Sequence, residues 1–141
     1  MSRTLGLDPG QRRVGVALSD PTGTIATPHA VIDRAATDFA SALRSICDEY
    51  DVGRIVVGLP TGLSGNEGPA AEAARAVADA ARDATGLPVE FQDERFTTVT
   101  AEAALIEGGV RRARRREVRD KVAAAVILQA FLDRKDVFGD E

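Results

Sequence analysis

The opening of the chain constrains the fold most, because two strand patterns follow each other with only a tight turn between them. Residues 5–10 read Leu-Gly-Leu-Asp-Pro-Gly, an apolar strand that ends at Asp8 before a strong turn signal. Residues 13–20 then alternate between apolar and other side chains. Two strands joined by a glycine-containing turn predict a β-hairpin. Asp8 is therefore expected at the carboxyl end of a central strand.

Length and composition predict one domain with a substantial core. The chain has 141 residues, of which 44% are hydrophobic. No stretch approaches the roughly 18 apolar residues of a membrane-spanning helix, and the strand-like start does not resemble a secretory signal. The single cysteine, Cys47, cannot form an internal disulfide, which favours a reducing compartment. We expect a single domain over residues 1–141, in the cytoplasm, with no membrane partner.

The rest of the chain alternates between helix and strand patterns. Further strands are predicted at 24–32, where Pro28 weakens the pattern, at 52–59 and at 89–92. Helices are predicted at 33–50, 70–84, 99–107 and 117–134. The first three strands should form an antiparallel meander, and right-handed crossovers should add the later strands parallel to the first. The expected fold is α/β, with a mixed five-stranded sheet and helices on both faces.

Acidic side chains map to one edge of this sheet. Asp8 ends the first strand, Glu94 follows the fifth, and Asp120 is expected in the first turn of the last helix, in line with apolar residues. Ligands of such sheets lie beyond the carboxyl ends of the parallel strands. Gathered carboxylates repel each other, and a divalent cation relieves the repulsion. Because the ligands are all oxygens, the pattern predicts a site for one or two Mg²⁺ or Mn²⁺ ions.

Each acid also has an ordinary structural interpretation. Asp8 before Pro-Gly could form an Asx-type turn, and Glu94 could be a solvated loop residue. Asp120 could interact with the positive end of the helix dipole. Their joint placement favours the metal site, and the sequence leaves both interpretations open.

Residues 111–121 contain a dense cluster of basic side chains, although the net charge of the whole chain is −4. Guanidinium groups bind phosphate in bidentate geometry, so the cluster predicts contact with a nucleic-acid backbone, while a solvated loop is the alternative. Arg12, Arg13 and Arg95 would extend the contact. The basic residues of the cluster are Arg111, Arg112, Arg114, Arg115, Arg116, Arg119 and Lys121.

Four segments, in order, resemble the motifs of the YqgF/RuvX family. They read DPGQRRVGVALSD from Asp8, VGLP from Val57, DERFTT from Asp93 and VRDKVAA from Val118. The resemblance covers almost the whole chain and implies a single RNase H-like nuclease domain. It also implies that Asp8, Glu94 and Asp120 are catalytic metal ligands. Ala123 stands where some related resolvases carry a fourth carboxylate, so the number of ions stays open.

The resemblance implies hydrolysis of phosphodiester bonds, because the family is described both as a pre-16S rRNA nuclease and as a Holliday junction resolvase. We expect processing of the 5′ end of pre-16S rRNA in ribosome biogenesis. The alternative is cleavage of branched DNA in recombination and repair, which would need two sites related by a two-fold axis. Both a monomer and a homodimer remain possible. A further alternative is a non-catalytic RNA-binding assembly factor.

Overall fold

A computed structural model describes residues 2–10, 12–60, 68–93 and 112–137, with the side chains of the last helix described from 117 to 134. The predicted helix at 99–107 lies outside these residues. The elements, in chain order, are β1 (Arg3–Asp8), β2 (Arg13–Ser19), β3 (Ala26–Asp33), α1 (Phe39–Tyr50), β4 (Val52–Leu59), α2 (Pro69–Thr85), β5 (Val89–Asp93) and α3 (Arg112–Val137).

The strands form one five-stranded sheet in the order β3-β2-β1-β4-β5. The pairs β1–β2 and β2–β3 are antiparallel, whereas β4 runs parallel to β1 and β5 runs parallel to β4. The predicted meander and the predicted parallel strands are both confirmed. Because β1 lies in the middle of the sheet, Asp8 ends the central strand, as expected.

Helices cover both faces of the sheet, so side chains alternate along each strand between two cores. Leu5 and Leu7 of β1 belong to the core that contains Leu43 of α1 and Val77 of α2. Gly6 points the other way: a Cβ added there would lie 2.8 Å from the Cβ of Leu128 in α3. Asp8 is in phase with Gly6, and it therefore lies on the α3 face of the sheet.

The prediction that the first helix begins at residue 33 is wrong, because β3 extends to Asp33, residues 34–37 form a turn and a bend, and α1 begins at Phe39. The Asp33 carboxylate accepts a hydrogen bond from the Ala35 backbone N–H at 3.0 Å, which closes a local turn after β3. Asp38 is then the N-cap of α1, and its side chain accepts from the Ser41 backbone N–H at 3.0 Å.

The last helix begins at Arg112, before the predicted start at residue 117. Arginine is a good helix former, and residues 112–116 extend the helix instead of forming a loop. The placement of Asp120 in the first turn is consequently wrong, since about two turns precede it. An interaction with the helix dipole is confined to the first turn, so that interpretation of Asp120 is wrong as well.

Within the described part of the chain, none of the helices has the length and apolarity needed to cross a lipid bilayer.

Candidate metal centre

A row of residues crosses the α3 face of the sheet where β1, β4 and β5 end. Asp8 pairs with Gly15 of β2, and Gly58 of β4 pairs with Gln92 of β5. Leu7 pairs with Val57, so the same register one residue further places Asp8 beside Gly58. The row across four strands is therefore Gly15, Asp8, Gly58 and Gln92.

Gly15 allows α3 to pack closely against this row. A Cβ at Gly15 would lie 2.0 Å from the backbone oxygen of Asp120, so only a residue without a side chain allows the helix this close. Directly paired residues of antiparallel strands have Cα atoms about 4.5–5.5 Å apart. Because Asp8 is the partner of Gly15, the backbone of Asp120 lies over the strand next to Asp8. The structure thus brings two of the three predicted metal ligands to one edge of the sheet.

An ion pair positions the Asp120 carboxylate. The Nε of Arg13 donates a hydrogen bond to Oδ2 of Asp120 at 2.9 Å, and the two side chains are 31% and 23% exposed. Arg13 begins β2 and is in phase with Gly15, so its side chain rises on the α3 face. The contact holds the carboxylate at the edge where Asp8 lies and supplies a positive charge beside the acids.

Arg12 makes a different and more exposed pair. Its Nε lies 3.2 Å from Oδ1 of Asp33, and its side chain is 66% exposed. The hydrogen bond from Arg12 lowers the pKa of the Asp33 carboxyl below its ordinary value, and the Ala35 backbone N–H adds to the effect. Arg12 is therefore anchored towards β3, with most of its surface open to solvent.

The other predicted basic contacts lie on α3 or outside the described residues. Lys121 is partly exposed and Arg119 is exposed, and both adjoin Asp120 in the helix. The backbones of Arg112, Arg114, Arg115 and Arg116 belong to the first turns of α3. Glu94, Arg95 and Arg111 are outside the described part of the chain. The basic cluster is thus largely a helical segment that leads to Asp120.

Gln92 is a candidate site residue that the sequence analysis missed. The residue is 9% exposed, and its Oε1 is buried with no hydrogen-bond partner among the described residues. Phe91 packs with the α1–α2 core, so Gln92 lies on the opposite face, with α3. A polar residue in a strand pattern is normally read as solvent-exposed. The available signal was its period-two spacing from Glu94 in the sequence.

The donor chemistry of this edge fits a divalent cation. In the described ranges, no cluster of three or more acidic, histidine or cysteine side chains forms a complete metal site by itself. Asp8 and Asp120 offer carboxylate oxygens, and Gln92 offers a buried carbonyl oxygen to which none of the described residues donates a hydrogen bond. Hard cations such as Mg²⁺ and Mn²⁺ prefer oxygen ligands of these kinds.

Asp20, which ends the first motif, serves a different purpose at the other end of β2. Its carboxylate accepts hydrogen bonds from the backbone N–H groups of Thr24 at 2.7 Å and Ile25 at 2.9 Å, and from the Thr22 hydroxyl. These hydrogen bonds lower the pKa of the Asp20 carboxyl far below its ordinary value, and the bond from Ile25 has the largest effect. Asp20 therefore organises the β2–β3 turn.

Comparison with solved structures agrees with this architecture. RuvC of Thermus thermophilus, solved in complex with a Holliday junction substrate, matches with a TM-score of 0.57 and 20% sequence identity. The match covers 96% of this chain and 97% of that chain. At this identity the similarity is one of fold, and it confirms the expected RNase H-like α/β fold.

Sequence comparison extends over nearly the whole chain. Relatives from Pelotomaculum thermopropionicum and Moorella thermoacetica are both named "Putative pre-16S rRNA nuclease". The first is 51% identical over 133 residues, which is 93% of this chain and 86% of the relative. The second is 49% identical over 134 residues, which is 94% of this chain and 95% of the relative. The family model RuvX, described as a Holliday junction resolvase, matches residues 2–134. The chain belongs to the RuvX family.

Proposed function

We propose that this protein is a divalent-metal-dependent nuclease that hydrolyses phosphodiester bonds, with Asp8, Glu94 and Asp120 as its catalytic metal ligands. The observation that carries the proposal is the contact of α3 with Gly15, which brings Asp120 against the strand next to Asp8. Glu94 is assigned through its motif, DERFTT, in a chain that belongs to the RuvX family.

The residues of the chain have distinct tasks in this reaction. Asp8, Glu94 and Asp120 would hold one or two Mg²⁺ or Mn²⁺ ions at this edge, which would supply an activated water and charge stabilisation for the leaving oxygen. Asp8 offers its carboxylate from the central strand, which fixes its position. Arg13 keeps the Asp120 carboxylate at the same edge. The basic residues of α3, together with Arg12 and Arg95, contact backbone phosphates and give affinity without reading the sequence.

The substrate that we propose is the 5′ end of pre-16S rRNA, processed in the cytoplasm during ribosome biogenesis. Support comes from two relatives, 51% and 49% identical to this chain, that are named for this activity. The second candidate is branched DNA, which the description of the matching family model favours. Symmetric cleavage of a junction requires a two-fold dimer, whereas trimming of an RNA end is open to a monomer.

The test compares cleavage of a pre-16S rRNA fragment and of a synthetic four-way junction, each with Mg²⁺ or Mn²⁺. We expect the RNA to be cut and Asp8→Asn to lose more than about 100-fold in rate, because loss of even a residue that only orients a metal ligand costs about 10–100-fold. Preferred cleavage of the junction would assign the second function. Equal rates for Asp8→Asn and the parent would contradict a metal site at Asp8. If neither substrate is cut but RNA is bound, the protein is a non-catalytic assembly factor.

A further inference from the structure

The buried amide of Gln92 needs a physical explanation. The residue is nine-tenths buried, and its Oε1 has no hydrogen-bond partner within the described part of the chain. Burial removes the carbonyl from water without replacing the lost hydrogen bonds, which costs free energy. An apolar side chain of similar shape would avoid that cost. An unsatisfied buried group of this kind points to a partner that lies outside the described residues, and an ion is one such partner.

The position of Gln92 in the sheet shows which groups would surround such a partner. Gly58 separates Gln92 from Asp8 in the row on the α3 face and carries no side chain. The two outer side chains therefore face each other across Gly58, with backbones about 10 Å apart, or two strand spacings. Side chains that lean inward from both strands can share one cation, whose oxygen ligands lie at about 2.0–2.1 Å for Mg²⁺.

The alternation of β5 separates Gln92 from the structural side chains of its strand. Phe91 packs in the α1–α2 core on the other face. Glu90 shares the α3 face, but it lies two residues nearer the start of the strand and pairs with Arg54 at 3.4 Å. Of the two β5 residues on the α3 face, Glu90 and Gln92, only Gln92 therefore belongs to the row with Asp8.

We propose that Gln92 is an additional metal-binding residue, whose neutral Oε1 coordinates the divalent cation between Asp8 and β5. This inference rests on the proposed function, since it concerns the same cation. It adds an uncharged oxygen to a carboxylate set, which keeps the site selective for hard cations without more repulsion between acids. The cation in turn satisfies the buried carbonyl.

The test is Mn²⁺ binding by calorimetry, with thermal unfolding in the absence of metal as a second readout. Gln92→Met removes the oxygen and keeps the length of the side chain. We expect its affinity for Mn²⁺ to fall by at least about 10-fold. Without metal, its melting temperature should equal or exceed that of the parent, because a buried unsatisfied carbonyl has been removed. Gln92→Glu, which keeps an oxygen and adds a charge, should bind Mn²⁺ at least as tightly as the parent.

Glu90→Gln is the matched control on the same strand and face, and it should bind Mn²⁺ like the parent. Equal affinity of Gln92→Met and the parent, with binding lost in Asp8→Asn, would overturn the role of Gln92 and leave the proposed function intact. A lower melting temperature of Gln92→Met without metal would also overturn it, because Gln92 would then be structural. Absence of Mn²⁺ binding by the parent would overturn both proposals.

Discussion

At the scale of single residues, the site depends on contacts between side chains that are far apart in sequence. Arg13 and Asp120 are separated by 107 positions, and nothing in either local pattern indicates that they pair. The sequence predicted Arg13 as a phosphate contact and Asp120 as a metal ligand. Their ion pair places Arg13 beside the acids, where it also balances their charge. Motifs could identify both residues, but only the packing of α3 reveals the contact.

The first prediction concerns this ion pair. Arg13→Gln should lower the free energy of unfolding by about 1 kcal/mol, because the pair is partly exposed and partly screened by water. It should also weaken Mn²⁺ binding, since Asp120 is no longer held in place. Chemical denaturation and calorimetry measure the two effects. Arg12→Gln, which breaks the more exposed pair with Asp33, should change stability by less than about 0.5 kcal/mol. Equal effects of the two variants would contradict a positioning role for Arg13.

At the scale of elements, local patterns predicted the sheet well and the helix ends poorly. The hairpin at Asp8 and the two crossovers fix the strand order, because turn signals and the handedness of crossovers leave few alternatives. The helix α3 begins before its predicted start at residue 117, because the run of arginines that precedes this residue favours helix. The start of α1 was missed because Asp33 could not be distinguished from a helix cap, whereas Asp38 is the residue that caps.

The second prediction tests the contact between α3 and the sheet. Gly15→Ala should destabilise the protein by about 1–3 kcal/mol, because its Cβ would overlap the backbone oxygen of Asp120 and displace the helix. The displacement should weaken Mn²⁺ binding as well. Gly53→Ala is the matched strand control, because its Cβ meets Ser2, a residue that precedes β1 and can shift without moving a helix. Denaturant unfolding that gave the two variants equal stability would contradict the close approach at Gly15.

At the scale of the whole molecule, three aspartates stabilise the connections of the chain in their charged form. Asp20 orders the β2–β3 turn, Asp33 orders the turn after β3, and Asp38 caps α1. The pKa of each carboxyl is lowered, mainly by hydrogen bonds from Ile25, Arg12 and Ser41 respectively. Such groups stabilise the fold above their unfolded pKa of about 3.9 and lose that effect as the pH falls towards the folded pKa.

The third prediction follows from the lowered pKa values of these three aspartates. The free energy of unfolding should be nearly constant above about pH 5 and should decrease below about pH 4. Asp20→Asn, which cannot lose a charge, should be less stable than the parent at pH 7 and should show a weaker dependence on pH below 4. Denaturant titrations between pH 7 and pH 2 measure both. Parallel pH profiles for the variant and the parent would contradict the assigned role of Asp20.

The convergence of Asp8 and Asp120 on one divalent cation is the claim on which the proposed function depends. The most direct measurement is anomalous diffraction at the manganese edge from crystals grown with Mn²⁺. We expect a peak within about 2.0–2.4 Å of carboxylate oxygens of both Asp8 and Asp120, on the α3 face of the sheet. A manganese peak elsewhere, or none at these two carboxylates, would contradict the account.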